Sequence, residues 1–182
     1  MKIIVAVTGA SGSIYAERLL KYLSKNHKIL AVFSKNAIKI YKEETGSSLK
    51  ESADITLYDD DDFNAPFASG SSRCDAMVIC PCSMGTLGRI ASGVSDSLIT
   101  RAADVMLKER RKLILVVRET PYNLIHIRNM ETLTLSGAVI CPACPSFYSK
   151  PQSIEDLVDT VVFRILDLLG VEHNGFRWGK AK

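Results

Sequence analysis

The sequence predicts a three-layer, doubly wound α/β fold around a parallel sheet, on three observations. Near-continuous apolar runs recur along the chain, segments of helical period separate them, and no stretch rich in Gly, Pro or Ser divides the 182 residues. Strands that are apolar throughout belong to a sheet covered on both faces, and their alternation with amphipathic helices makes that sheet parallel. The length suits one domain over residues 1–182, large enough to bury roughly 70% of its unfolded surface.

The first strand, Ile3 to Thr8, stops at Gly9-Ala10-Ser11-Gly12, where the apolar period changes to that of a helix over Ser13 to Lys25. Ile29 to Phe33 forms the second strand and Asn36 to Glu44 the next helix, and Ile55 to Tyr58 is a weaker third strand. Ala76 to Cys80 follows, then helical segments at Gly85 to Ala91 and Leu98 to Arg110. Leu113 to Val117 leads through Arg118-Glu119 to a helix over Asn123 to Leu135, and Ala138 to Cys141 is the last strand. The final helix, Ile154 to Leu169, begins after Ser153 with Asp156 in a capping-box-like place and stops at Gly170. Val78-Ile79-Cys80-Pro81 recurs as Val139-Ile140-Cys141-Pro142, which reads as two strands each ended by a proline.

A net charge of +3, scattered along the chain, gives no footing for nucleic acid. The basic cluster Lys108 to Lys112 reads as a solvated helix end and the acidic run Asp59 to Asp62 as a hydrated loop. No signal peptide precedes the first strand, and no apolar run approaches the ~20 residues that span a bilayer. The expectation is a cytoplasmic protein with no membrane association, whose five cysteines stay as thiols.

In this architecture ligands bind outside the carboxyl ends of the strands. Those ends carry Gly9 to Ser11, Ser34-Lys35, Cys82 to Thr86, Arg118-Glu119 and Pro142 to Tyr148. A glycine turn before a helix N-terminus and an arginine at a strand end both suit a phosphate. The turn lacks the G-x-G-x-x-G spacing, and Ser34 stands where a dinucleotide site carries an acid, so a mononucleotide fits better. Cys80, Cys82, Cys141 and Cys144 would supply four thiols if their strands were neighbours. Their CxC and CxxC spacings are not those of a zinc site, and packing is favoured. His27, His126 and His173 stand beside no candidate nucleophile. Arg164 shares a helical stripe with Leu157, Val161 and Leu168. Two readings of it stand: it snorkels to the helix edge, or it faces an anion.

These motifs, in their order, resemble the UbiX-type flavin prenyltransferases, formerly called aromatic-acid decarboxylases. The matching blocks include Thr8-Gly9-Ala10-Ser11-Gly12, Ala65 to Ser71, Met77 to Leu87, Arg101 to Val105, Leu107 to Arg111, Arg118-Glu119-Thr120-Pro121, Phe147-Tyr148 and Arg177-Trp178-Gly179. The resemblance implies a flavodoxin-like, Rossmann-like fold, FMN without metal, and a homo-oligomer, expected as a dodecamer. It implies alkylation of reduced FMN at N5 and C6 by dimethylallyl phosphate, giving the prenylated FMN that UbiD-type decarboxylases use. Carried over by position, Gly9, Ala10, Ser11, Ser34, Ser83, Met84, Gly85, Thr86, Arg118 and Arg101 are expected around the flavin. Tyr148, Arg164, Ser69 and Gly70 are expected around the prenyl donor, and Glu44, Glu119, Lys108 and Trp178 in catalysis, with Lys108 supplied by a neighbouring subunit. Two rivals share the cofactor: a non-catalytic FMN carrier, and an FMN-dependent decarboxylase of cysteine-type substrates. The latter's Pro-x-Met-Asn segment has no match here, Pro121-Tyr122-Asn123 coming nearest.

Overall fold

A computed structural model of the chain describes residues 1–48 and 52–179. The strands β1 (Lys2–Val7), β2 (Lys28–Phe33), β3 (Ile55–Asp59), β4 (Ala76–Cys82), β5 (Lys112–Val117) and β6 (Val139–Ile140) form one parallel sheet in the order β3-β2-β1-β4-β5-β6. The helices are α1 (Ser13–Leu23), α2 (Lys35–Thr45), α3 (Met84–Ala91), α4 (Leu98–Lys108), α5 (Leu124–Leu135) and α6 (Ile154–Leu169), with a 3₁₀ turn at Pro66–Ala68. The three-layer, doubly wound, Rossmann-like arrangement expected from the sequence is present, with the switch in strand order between β1 and β4.

Alternate strand residues point to opposite faces, which explains why these strands are apolar throughout. Ile3, Val5, Ile29, Ala31, Val78, Ile114 and Val116 pack with Leu19, Leu20 and Leu23 of α1 and Val162, Ile165 and Leu166 of α6. Ile4, Ala6, Leu30, Val32, Met77, Ile79, Leu113 and Leu115 pack with Leu87 of α3 and with Leu98, Ala102 and Met106 of α4. Each large aliphatic side chain so enclosed contributes about 1.5–3 kcal/mol. Between α1 and α6, the Arg18 guanidinium grips buried Asp159, which also accepts the Tyr22 hydroxyl at 2.9 Å. That pair binds the two helices on one face of the sheet together.

Some boundaries differ from expectation for identifiable reasons. α4 stops at Lys108 because Arg110 adopts a left-handed conformation, φ 53°, that turns the chain into β5. Pro81 does not end its strand: β4 continues through it to Cys82. Pro81 has no N–H for the ladder, and the register with β5 shifts between Ile79 and Cys82. The shift has a chemical consequence. Cys80 faces the α1/α6 core and Cys82 the α3/α4 core, so the two thiols do not converge. Cys141 is also buried and Cys144 exposed. Among the described residues no group of three or more His, Cys, Asp or Glu is arranged to hold a metal ion, and no helix is long and apolar enough to cross a membrane.

Candidate active site

Where strand order reverses, Thr8 joins the ends of β1 and β4. Its buried hydroxyl donates to the Pro81 carbonyl at 2.9 Å and accepts the Ser83 N–H at 2.8 Å. Beside this junction lies a cavity of 860 Å³ lined by Gly9, Ser34, Ser83, Gly85 and Thr86, five of the residues expected around a flavin. Two helices begin on it. The Ser34 hydroxyl caps α2 by accepting the Ala37 N–H, and the Ser83 hydroxyl caps α3 by accepting that of Thr86, each at 3.3 Å. Such caps leave the N–H groups of Lys35 and Asn36, and of Met84 and Gly85, without intrahelical partners.

Lys35 and Arg89 add positive charge to the lining. Gly9 is required by close approach, because a Cβ there would lie 2.9 Å from the Asn36 Cβ. Paired helix N-termini, hydroxyls and cations suit the phosphate of FMN, so the residues present fit that group. Asp59, Asp60, Asp61 and Asp96 line another wall. Asp60 is not part of a merely hydrated loop. Its carboxylate accepts the Ile99 N–H at 3.0 Å, bonding the start of α4 to the end of β3. Burial pushes its carboxyl up, against the hydrogen bonds from Ile99 and Ser97.

The expectation that the first glycine turn presents free helix N–H groups to a phosphate is not met. Gly12, left-handed at φ 108°, gives α1 no side-chain cap. The Glu44 carboxylate supplies one from α2, accepting the N–H of Gly12 at 2.9 Å and of Ser13 at 2.7 Å. Partial burial pushes the Glu44 carboxyl up, but hydrogen bonds from Ser11, Ser13 and Gly12 outweigh it and hold it below the usual range. Charge at a helix N-terminus adds to the effect. Replacing Glu44 by Gln should therefore cost about 1 kcal/mol at neutral pH. Since the folded state lowers this pKa, the ionised carboxylate stabilises above the unfolded value and the benefit fades as pH falls through the folded one. The gap between wild type and Glu44→Gln in thermal unfolding should shrink in acid; a gap that widens would contradict the assignment.

Arg118 ends β5, its N–H donating to the Cys82 carbonyl at 3.3 Å, while its exposed guanidinium has no hydrogen bond or ion pair among the described residues. Glu119 follows, half-buried, with its carboxylate accepting the Thr120 N–H at 3.0 Å. Sequence reasoning missed Tyr15 of α1, which stands at this rim. Its phenol is pushed up by burial and by neighbouring Cys80 and Cys144, with Arg118 opposing. A lone tyrosine in an amphipathic helix carries no signal of that placement.

Arg164 corrects the stripe drawn from the sequence. The buried face of α6 runs through Val158, Val161, Val162, Ile165, Leu166 and Leu169, and Arg164 lies outside it, exposed. The guanidinium has no hydrogen bond or ion pair among the described residues, and its positive charge acts on Cys141 at the end of β6. Tyr148 and Trp178, both exposed, meet edge to face with ring centroids 5.1 Å apart.

The remaining expected residues gather elsewhere. Lys108 pairs with Glu109 at 2.5 Å, and both lie against Gly70, which follows Ser69. Arg101 donates to the Ala68 carbonyl at 2.9 Å, and Arg111 to that of Gly70 at 2.8 Å, so the basic cluster is tied to this loop rather than simply solvated. Lys108 stands before the amino end of β5 and Arg118 follows its carboxyl end. The six-residue strand between them spans about 20 Å, well beyond the reach of one lysine. A second cavity, 980 Å³, opens among Tyr22, Lys25, His27, His173 and Arg177 and includes none of the expected residues.

The flavoprotein family model matches residues 1–166. The flavin prenyltransferase UbiX of Methanocaldococcus jannaschii is 49% identical over 182 residues, covering 98% of this chain and 99% of that protein. The crystal structure of AnUbiX (PadA1) in complex with FMN and dimethylallyl pyrophosphate is 44% identical, with a TM-score of 0.95 over 100% of this chain and 98% of that one. A dodecameric FMN-dependent UbiX-like decarboxylase from Escherichia coli O157:H7 is 42% identical, with a TM-score of 0.95 over 99% of this chain and 100% of that one. With fold and sequence alike from end to end, this chain belongs to the flavoprotein family and, within it, to the UbiX flavin prenyltransferases.

Proposed function

We propose that the protein is a cytoplasmic flavin prenyltransferase that joins the dimethylallyl group of dimethylallyl phosphate to reduced FMN, in a site shared between subunits. The observation that carries this is the end-to-end match, at a TM-score of 0.95, to a relative bound to FMN and dimethylallyl pyrophosphate. In this chain the paired starts of α2 and α3 would hold the FMN phosphate, with Ser34, Ser83 and Thr86 donating and Lys35 supplying charge beside Arg89, which is paired with Asp96. Gly9, Ala10, Ser11, Met84 and Gly85 complete the flavin cradle. Bound reduced flavin supplies two nucleophilic ring atoms, N5 and C6; no metal enters.

The residues around it handle charge and protons. Arg164, whose guanidinium has no ion pair among the described residues, holds the donor's phosphate, joined by Lys108 from a neighbour near its Ser69-Gly70 loop, while Arg118 and Arg101 stay with the flavin. Tyr148 or Glu119 protonates the departing phosphate. Glu119, the released phosphate or Glu44, whose carboxylate also caps α1, takes the proton lost from the flavin C6. Trp178 and Tyr148 form an aromatic wall that keeps water from the developing allyl cation.

Separation of Lys108 from Arg118 by the length of β5 is why the site needs an oligomer, and a dodecamer like that of the Escherichia coli relative supplies one. The product serves a UbiD-type decarboxylase. Incubating the protein with reduced FMN and dimethylallyl mono- or diphosphate, then weighing the extracted flavin, tests the activity. A gain of one five-carbon prenyl unit is expected; unchanged flavin with both donors would leave a carrier.

A further inference from the structure

After α6 the chain has no helix or strand among the described residues, yet the first part of this tail is fastened to that helix. The His173 side chain is 2% exposed, its ring stacked on Phe163 with centroids 4.7 Å apart and planes within 5°. Gly175 donates its N–H to His173 Nδ1 at 3.0 Å, and His173 Nε2 lies 3.1 Å from an Asp167 carboxylate oxygen. A backbone N–H can only donate, so Nδ1 is unprotonated and the ring proton on Nε2 is given to Asp167. Arg177 reaches the same oxygen at 2.8 Å. Partial burial of the Asp167 carboxyl pushes it up, but His173 and Arg177 outweigh that and hold it below the usual range. The next residue is Trp178, 79% exposed and touching Tyr148. An aromatic so open to water keeps its place through what restrains the backbone beside it.

We propose that Phe163, Asp167, His173 and Arg177 form a clasp that positions Trp178 over Tyr148, fixing an aromatic wall before the prenyl donor arrives. This rests on the assignment of Tyr148 to the donor site. A tail already ordered pays no further entropy when the donor binds, so the clasp acts on donor affinity and leaves the flavin cavity untouched. These are positioning residues: none of them touches the reacting atoms.

Trp178 is the chain's one tryptophan, so its fluorescence reports on the tail alone. Two variants open the clasp differently: Asp167→Ala removes the shared acceptor, and Gly175→Ala drives a Cβ into the Phe163 ring. In the assembled enzyme both are expected to lower Trp178 anisotropy and raise its quenching by acrylamide. The KM for dimethylallyl phosphate should rise on the order of tenfold, with FMN affinity unchanged. Asp167→Asn, which keeps an acceptor for His173, should fall between. Tyr148→Ala separates the two assumptions. If it leaves the donor KM unchanged, the donor-site assignment fails. If it raises the KM while the clasp variants free Trp178 without effect, the clasp proposal alone is overturned. Trp178 remaining as shielded in both variants as in wild type also overturns it.

Discussion

Arg164→Ala is expected to lower prenyl transfer by roughly 10²-fold or more, the scale for losing one preorganised charge where negative charge develops. Flavin content and thermal stability should stay near wild type. Arg164 is exposed on α6, outside the buried stripe, so truncation opens no cavity and removes no ion pair among the described residues. The proposed FMN phosphate site at the starts of α2 and α3 is lined by other residues. Arg164→Lys should recover only part of the activity, because an ammonium lacks the planar fork that grips two phosphate oxygens. Steady-state kinetics with separate flavin titrations read both effects. Near-normal transfer by Arg164→Ala would mean that the guanidinium only borders the helix.

Lys108→Ala should be as damaging to transfer and as mild to the fold. The Lys108–Glu109 pair is exposed, and such pairs contribute at most about 1 kcal/mol. FMN binding should survive, since in the proposed site Lys108 meets the donor's phosphate while the flavin phosphate is held at the starts of α2 and α3. A drop in FMN affinity equal to the drop in transfer would place Lys108 in the flavin cradle instead.

The sheet was legible because its signals are local. Strands enclosed on both faces must be apolar throughout, and Ser153 and Gly170 punctuate α6 as the sequence indicated. The strand-end residues at Ser34 and Ser83 were legible too, because the topology sends every strand end to one edge. What the sequence hid depends on contacts across the chain. Nothing near Gly12 announces that Glu44, 32 positions away, caps its helix. On α6 two overlapping stripes share Val161, and composition alone does not choose between the one with Arg164 and the one with Ile165. Pro81 looked like a strand end because a proline disrupts a ladder, but here β4 absorbs it as a register shift. His173 lies in an aperiodic tail, where no pattern marks a buried ring.

Sharing of the site between subunits is tested most directly by mixing two damaged ones. Lys108→Ala spoils the loop side and Glu119→Gln the strand-end side, so each alone should give an assembly with little transfer. When the two are co-expressed in equal amounts, sites pairing an intact Glu119 with a neighbour's intact Lys108 should restore about a quarter of wild-type transfer, the random expectation for one interface. Mixed assemblies no more active than the separate variants would show that both residues act within one subunit, contrary to the site described here.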